Sequence, residues 1–410
     1  MDARSEWTGL DAGRLTRIGE HLQREHIDTG RLAGCQIAIA RHGHVAYAQS
    51  FGLMDRERRK PVQEDTLWRI YSMTKPITSV ALMTLYERGF FQLDEPVARY
   101  VPCWAGQRVW VSGVEADDLV TEAARRPVSF RDLLRHTSGL TYGGLLGEYS
   151  ELPLDALYRA EGVGGSRSDD DMASFLAKLG RLPLAYQPGT AWLYSLASDA
   201  CGALVEVISG RPFDAFLREE IFDPLGMVDT AFHVPPDKLD RLAACYSQEP
   251  DGTLSLSDAF GAKTFGREPR FKSGGAGLVS TAADYLRFCE MLRRGGELDG
   301  ARILGPRTVE LMRQNHLPGG ADVSQMAYSA DVAEVQPGVG FGLGFATSLG
   351  AVESGGLAAC DYYWGGAAST LFWVDPKEDL SVVFMTQLMP SEVIDFRGPL
   401  KNLVYSAIVD

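Results

Sequence analysis

The sequence lacks any run of about 18 apolar residues, so no segment has the composition of a membrane-spanning helix. It also lacks a Cys-x-x-Cys pair, and its six cysteines have no spacing to histidine that suits zinc. We therefore expect most cysteines to be small buried residues in a reducing compartment. The first residues carry acidic side chains and no apolar segment follows them, so no export signal is predicted and a cytoplasmic location is expected.

Positive charge is scarce as well. The chain has 40 lysines and arginines against 54 aspartates and glutamates, a formal net charge of −14. A field of that sign repels nucleic acid and anionic lipid surfaces, so neither is predicted as a partner. Hydrophobic residues make up 45% of the chain and charged residues 23%, which is typical of an ordinary globular protein.

The 410 residues are enough for two domains that share a cleft. Strand patterns occur near both ends of the chain, at Cys35–Ala40, Val45–Ala48, Thr370–Val374 and Leu380–Met385. Helical periodicity occurs at Asp11–Glu25, from Leu93 to Phe232, and at Leu400–Ile408. We expect an α+β fold in which residues 1–92 and 234–410 form a sheet domain and 93–233 a mostly helical domain, with the active-site cleft between them.

Ser72-Met73-Thr74-Lys75 matches the S-x-x-K pattern at the predicted start of a helix. Residues three apart in a helix share a face, so the hydroxyl of Ser72 is expected beside the amine of Lys75. A serine needs a neighbour to take its proton, and a desolvated lysine can do so in its neutral form. The helix start adds backbone N–H groups aimed at developing negative charge. The pattern therefore predicts a nucleophile next to its base.

Two further segments carry groups suited to the same chemistry. Tyr194 follows a Pro-Gly turn and precedes a predicted helix, where its phenol can relay protons. Trp364-Gly365-Gly366-Ala367 combines an apolar indole with paired glycines, which let a strand backbone approach a ligand and offer it an N–H. Taken alone, each segment is as typical of ordinary packing or of a turn as of a site.

Longer phrases of the sequence add specificity to these short patterns. They are LLRHTSGL at Leu133–Leu140, PGT with YS at Pro188–Ser195, and SGGAGLVSTA at Ser273–Ala282. With them, the chain resembles the family VIII carboxylesterases, relatives of class C β-lactamases and D-alanyl-D-alanine carboxypeptidases. The resemblance spans most of the chain and implies a serine β-lactamase-like fold, with an antiparallel sheet flanked by helices and an inserted helical domain.

The resemblance also implies roles for individual residues. Ser72 would be the acylated nucleophile, Lys75 its base, and Tyr194 the group that passes a proton to the leaving alkoxide. The oxyanion hole would use the backbone N–H of Ser72 and that of either Ala367 or Gly366. Trp364 and Gly365 would contact the substrate, and no cofactor or metal is implied.

Two departures from the β-lactamase pattern favour neutral esters. Trp364 stands where β-lactamases carry the lysine of K-T-G, and Leu196 stands where they carry the asparagine of Y-x-N. The expected function is hydrolysis of short-chain, small-molecule carboxylic esters. Three alternatives remain on the same fold: a β-lactamase, an acyltransferase, and a non-catalytic binding or scaffold protein.

Other polar residues have simpler interpretations. No histidine lies in a recognisable catalytic frame, and His136 is expected to order the loop near the cleft. The acidic group Asp169-Asp170-Asp171 precedes a predicted helix, where acids complement the helix dipole, so a solvated cap is expected there in preference to a metal site. No G-x-S-x-G motif occurs, which argues against an α/β-hydrolase.

Overall fold

The computed structural model describes residues 7–115, 118–144, 152–163, 170–257, 265–328 and 337–410. Its helices are α1 Ala12–Leu22, α2 Thr74–Glu87, α3 Phe130–Leu134, α4 Asp155–Ala160, α5 Met172–Arg181, α6 Ala197–Ser209, α7 Phe213–Leu217, α8 Asp223–Leu225, α9 Ala282–Arg293, α10 Pro306–Met312, α11 Val323–Met326 and α12 Arg397–Ser406. Its strands are β1 Gly34–Arg41, β2 His44–Asp55, β3 Lys60–Pro61, β4 Trp68–Arg69, β5 Arg108–Ser112, β6 Val120–Ala123, β7 Tyr246–Gln248, β8 Leu254–Leu256, β9 Val279–Ser280, β10 Glu297–Leu298, β11 Ala301–Arg302, β12 Val339–Phe341, β13 Ala346–Ser348, β14 Tyr362–Gly365, β15 Leu371–Asp375, β16 Leu380–Thr386 and β17 Leu388–Met389.

Eight strands form one antiparallel sheet in the order β12-β13-β14-β15-β16-β1-β2-β3. Strand β1 joins the two ends of the chain, because its residue Ile37 lies opposite Gln49 of β2 on one side and Phe384 of β16 on the other. Every residue of β1 is buried, as expected for a strand covered on both faces. The predicted hairpins at both ends of the chain and the predicted α+β class are confirmed.

Helices cover both faces of this sheet. Helix α1 packs on β2 and on α12, and it buries Leu15, Ile18 and Leu22, the apolar positions of its sequence pattern. Helix α9 packs on β1, β15 and β16. Side chains alternate along β14, so Tyr363 lies under Arg397 and Lys401 of α12, while its neighbours point to the face that α9 covers.

Several predicted bounds differ from the structure. The first helix begins at Ala12 with the Asp11 side chain as its cap, and it continues as a π-helical turn at Gln23–Ile27. The last helix begins at Arg397, three residues earlier than predicted, because Arg397 already packs over a ring of the sheet. Residues 93–233 contain the hairpin β5–β6 besides their helices. The division into domains at residues 92 and 234 stays a prediction.

Helix α2 is the central helix of the molecule. All residues from Thr74 to Leu85 are buried, and α2 packs against α6. Its Pro76 lies in the first turn, where proline is tolerated because the N–H it lacks has no partner within the helix. Among the helices of the described residues, none has the length and apolar character needed to cross a bilayer.

The cysteines are mostly buried, as predicted. Four of them are enclosed in the core, whereas Cys103 and Cys360 are exposed; the buried ones are Cys35, Cys201, Cys245 and Cys289. Burial raises the pKa of each of these four thiols, so they remain neutral and act as small apolar residues.

A buried carboxylate organises the segment that leads from α3 toward the cleft. Asp132 is fully buried, and Arg126 donates to both of its oxygens, at 2.5 and 2.9 Å. The Ser129 amide and hydroxyl and the Thr137 hydroxyl also donate to it. Burial alone would raise the pKa of Asp132, but the hydrogen bonds from Arg126 and Ser129 outweigh it and hold the pKa below its ordinary value.

We expect Asp132→Asn to lower the free energy of unfolding by about 2–4 kcal/mol, because it leaves buried donors without a charged acceptor. Urea unfolding at neutral pH measures this loss. Since the folded-state pKa is depressed, the contribution is present above the ordinary aspartate pKa and disappears as pH falls through the folded-state value. The difference between the variant and the wild type should therefore shrink in acid.

Asp94→Asn is the matched control, because the Asp94 side chain is 76% exposed where it pairs with Arg131. A pair of that kind contributes about 1 kcal/mol or less. Equal losses in the two variants would contradict the role given to Asp132.

Candidate active site

Ser72 lies in a single 3₁₀ turn, Tyr71–Met73, between strand β4 and helix α2. Tyr71 has a φ of 41°, in the left-handed region that a bulky residue rarely adopts. Such a conformation costs about 1–3 kcal/mol and persists only where the surroundings impose it. Here the Tyr71 side chain is buried against Phe265, with the two rings edge to face. The turn leaves Ser72 half-buried just before a helix that is buried from Thr74 to Leu85.

Lys75 lies in the first turn of α2 and is 1% exposed. Its Nζ lies 3.0 Å from Ser72 Oγ and 2.8 Å from the carbonyl oxygen of Gly275. The first distance is within reach for proton transfer from the hydroxyl to a neutral amine. A neutral amine that donates to the Gly275 carbonyl has its lone pair left for the serine proton.

Tyr194 lies in the extended segment before α6, as the sequence predicts, and packs against Lys75. The Nζ of Lys75 lies 4.4 Å from the centre of its ring and 5.5 Å from the ring of Tyr142. On the other side, the indole Nε1 of Trp364 donates to the Tyr194 hydroxyl oxygen at 3.1 Å. The structure thus brings Ser72, Lys75, Tyr194 and Trp364 together.

The two candidate oxyanion donors, the amides of Gly366 and Ala367, differ in their backbone hydrogen bonds. The Gly366 amide donates to the Thr370 carbonyl at 2.8 Å, which closes a turn after β14. In the described part of the chain, neither the Ala367 amide nor the Ser72 amide donates to a protein acceptor. Both residues are half-buried. This geometry favours Ala367 over Gly366 as the partner of Ser72.

Gly366 brings strand β14 close to the turn that carries the serine. A Cβ at this position would lie 2.5 Å from the Ile70 carbonyl oxygen and 2.3 Å from Thr370 Oγ1. Only glycine permits this approach of two backbones. Gly365 lies on the opposite face of the sheet from the Trp364 side chain. A Cβ at Gly365 would point toward α12 and lie 3.3 Å from the Arg397 side chain.

His136 contacts the site without a catalytic arrangement of its own. It is 1% exposed, its Nδ1 lies 3.3 Å from Ser195 Oγ, and its ring lies 5.0 Å from that of Tyr194. Burial, and then the charge of Lys75, hold the pKa of His136 well below its ordinary value, so the imidazole is neutral. Its carbonyl accepts from the Leu193 amide, which fixes the segment next to Tyr194.

Two residues near the base were not singled out from the sequence. Tyr142 lies two residues after the LLRHTSGL phrase, which is the signal that places it near the cleft. Asp199 lies five residues after Tyr194, in the helix that follows it. The sequence signal for Asp199 is an acidic residue among the small and apolar residues of that helix, and the structure shows that it is buried. Asn315 does not supply the amide that β-lactamases carry after the tyrosine. Its side-chain oxygen accepts from the backbone amides of Leu317 and Phe341 near β12.

No group of three or more histidine, cysteine, aspartate or glutamate side chains is placed to hold a metal in the described ranges. In the acidic group before α5, Asp171 accepts from the Ser174 amide and caps the helix, as predicted. Asp170 pairs with Lys178, and Asp169 lies outside the described residues.

Comparison with known proteins identifies relatives of this chain. The sequence model of the Beta-lactamase family matches residues 20–404. The chain is 34% identical over 378 residues to Protein Rv1367c of Mycobacterium tuberculosis, covering 91% of this chain and 90% of that one. It is 32% identical over 393 residues to Esterase EstB of Burkholderia gladioli, covering 92% and 90%. The solved structure of EstCE1, described as a hydrolase with promiscuous acyltransferase activity, superposes with a TM-score of 0.78 at 29% identity and covers 97% of this chain and 99% of its own.

We expect Gly366→Ala to lower the rate of acylation of Ser72 by about a hundredfold or more, the typical effect of losing one oxyanion donor. The added methyl group would push β14 away from Ile70 and displace the Ala367 amide. The rate of phosphonylation of Ser72 by a p-nitrophenyl phosphonate measures the effect directly.

The control is Gly356→Ala in the loop before β14, where an added Cβ meets no atom within 4 Å. It should label at the wild-type rate. A Gly366→Ala variant that labels as fast as this control would show that the close approach does not shape the site.

Proposed function

This chain belongs to the Beta-lactamase family and is a serine hydrolase, and we propose that it cleaves short-chain carboxylic esters through an acyl intermediate on Ser72. The observation that carries the proposal is the 3.0 Å contact between Lys75 Nζ and Ser72 Oγ, with Nζ held on its other side by a backbone carbonyl. A lysine buried in this way is placed to work as a base, which is what a weak hydroxyl nucleophile needs.

The reaction has two halves. In the first, Lys75 takes the proton of Ser72 as Oγ attacks the ester carbonyl, and the amides of Ser72 and Ala367 bind the oxyanion. The tetrahedral intermediate then collapses as Tyr194 gives a proton to the leaving alkoxide. In the second half, water attacks the acyl-enzyme and releases the carboxylic acid. The proton that Lys75 took in the first half passes to Tyr194 and restores the phenol. In the second half the attacking water gives a proton to Lys75, which passes it to Ser72 Oγ as the acid leaves, so the site is unchanged at the end.

The substrate preference follows from two apolar positions. Trp364 and Leu196 stand where β-lactamases use a cation and an amide, so this site offers no charge there for a substrate carboxylate. The rings of Phe341 and Trp364 lie 5.4 Å apart, edge to face, and Trp364 packs on Tyr194, so that the three rings form an aromatic wall next to Lys75. Such a wall suits a small neutral acyl group. The name of the relative EstB agrees with an ester substrate.

Acyl transfer is the second candidate. An alcohol can replace water in the second half of the reaction without any change in the first. The structural relative EstCE1 is described as a hydrolase with promiscuous acyltransferase activity, and its fold spans nearly the whole of this chain. Adding acceptor alcohols and measuring new ester against free acid separates the two outcomes.

We expect Ser72→Ala and Lys75→Ala each to lower turnover of p-nitrophenyl butyrate by about ten-thousandfold, since a nucleophile and its base act as one unit. A chromogenic cephalosporin assayed beside the ester should show little ring opening in the wild type. Lys60→Ala is the matched control, because Lys60 pairs with Asp240 at the surface. It should keep wild-type rates.

Retained ester turnover in Lys75→Ala would remove the lysine from the mechanism. Dominant opening of the cephalosporin would make the chain a β-lactamase, and turnover of neither substrate would favour the transferase or the binding protein.

We expect Tyr194→Phe to slow cleavage of ethyl butyrate by about a hundredfold, the scale of general acid catalysis, while p-nitrophenyl butyrate is affected much less. The ethoxide must be protonated as it leaves, whereas p-nitrophenolate leaves unaided. Trp364→Phe removes the N–H that donates to the phenol together with part of the ring, and the loss of ring is the same in the control below. The variant should slow the ethyl ester by about three- to tenfold, the value of one net hydrogen bond.

Trp373→Phe is the control for this second effect. Trp373 lies on the neighbouring strand β15, and its indole N–H has no hydrogen-bond partner among the described residues. The ratio of the two ester rates should be that of the wild type. If Trp364→Phe also leaves that ratio unchanged, the indole does not orient Tyr194.

A further inference from the structure

The loop at residues 273–276 accepts hydrogen bonds from two side chains of α2 that lie one helical turn apart. The carbonyl of Gly274 accepts from Thr78 Oγ1 at 2.7 Å, and that of Gly275 accepts from Lys75 Nζ at 2.8 Å. The position of the base therefore depends on where this loop lies.

Asp199 fixes the other side of the same loop. Its Oδ1 accepts from Ser273 Oγ at 2.6 Å and from the Gly275 amide at 3.1 Å. Asp199 belongs to α6 and is 3% exposed. A Cβ on Gly275 would lie 2.4 Å from its Oδ2, and one on Gly274 would lie 2.6 Å from the Ser198 carbonyl, so the loop rests against α6 through bare backbone.

The contact between Asp199 and the loop also bears on the charge of Lys75, because few titratable groups of the described chain surround the amine. The titratable side chains that face it in the described residues come from the segment after α3, the segment before α6, and α6 itself: His136, Tyr142, Tyr194 and Asp199. His136 is neutral because burial depresses its pKa. Beside Asp199, the Cys201 thiol is also neutral, because burial raises its pKa. Asp199 is the carboxyl of this group.

Burial raises the pKa of Asp199 above its ordinary value, and it outweighs the effects that lower the pKa, chiefly the hydrogen bond from Ser273, the charge of Lys75 and the hydrogen bond from Gly275. The carboxyl and the amine thus bias each other's charge across the loop.

We propose that Asp199 is a positioning residue for the reaction: it anchors the Gly275 carbonyl against Lys75, and its negative charge stabilises the ammonium that forms when Lys75 takes the proton of Ser72. The proposal rests on the proposed function of Ser72 and Lys75. Asp199 takes no proton itself. Its part corresponds to that of an acid which holds a catalytic base in place and balances the charge the base acquires.

Asp199→Asn tests the charge while keeping the anchor, because an amide oxygen at the Oδ1 position can still accept from Ser273 and Gly275. The readout is the pH profile of Ser72 phosphonylation by a p-nitrophenyl phosphonate, a single event that needs no natural substrate. Without the anion, Lys75 loses its proton at lower pH, so the acid limb should move down by about one pH unit, as expected for removal of a nearby opposite charge. The plateau rate should fall by about tenfold, because a weaker base gives a smaller share of general base catalysis.

Asp284→Asn is the matched control. Asp284 lies on α9, is 6% exposed and accepts from the Asp229 amide and from Thr230 Oγ1, so it is a similarly buried and bonded acid away from Lys75. Its profile should keep the wild-type acid limb. A purely structural Asp199 would give a uniform fall with an unmoved limb, and that result overturns the proposal.

Ser273→Ala decides the question if Asp199→Asn does not fold. It removes the hydrogen bond that does most to lower the pKa of Asp199 and so favours the neutral carboxyl, and its acid limb should therefore lie between those of the wild type and of Asp199→Asn. A limb that matches the wild type overturns the proposal. A wild-type protein that is phosphonylated at Ser72 but cleaves no ester would refute the proposed function and leave this test standing.

Discussion

The contact that the rest of the site depends on is the one between the buried amine of Lys75 and two oxygens, the Ser72 hydroxyl and the Gly275 carbonyl. A buried amine needs hydrogen-bond partners to replace water, and these two oxygens lie within hydrogen-bond distance of it. The surrounding elements keep the Lys75 amine buried and hold the Gly275 carbonyl against it. Helix α2 is buried along nearly its whole length, and the loop that supplies the carbonyl is held between α2 and α6.

Close backbone approach is the second constraint, and glycine makes it possible on both sides of the serine. Gly366 lets strand β14 reach the Ile70 carbonyl, while Gly274 and Gly275 let the loop rest on α6. These approaches place N–H and C=O groups, which are rigid and need no side-chain rotamer to be fixed. The positive φ of Tyr71 also helps to place Ser72. The buried Tyr71 side chain holds the backbone in this strained conformation, and Ser72 is the next residue.

The sequence predicts the parts of the site that are local and leaves out those that depend on folding at a distance. The spacing of Ser72 and Lys75 predicts their contact, and short runs of mostly apolar residues predict strands β1 and β16, so both follow from short patterns. The partner of Lys75 is a carbonyl 200 residues away, and a backbone oxygen has no sequence signal of its own. The hydrogen bond that engages the Gly366 amide, and so favours Ala367 as the oxyanion donor, likewise has no signal in the sequence.

The replacement of a cation by Trp364 changes more than the substrate that the site can hold. A lysine at that position would place a positive charge beside Tyr194 and favour its phenolate, whereas an indole N–H gives one neutral hydrogen bond. This difference agrees with the proposed role of Tyr194, which is to give a proton to the leaving alkoxide and not to take one from the serine. In the proposed mechanism the serine proton then goes to Lys75, and the charges around the lysine, including that of Asp199, would set how readily the lysine takes it.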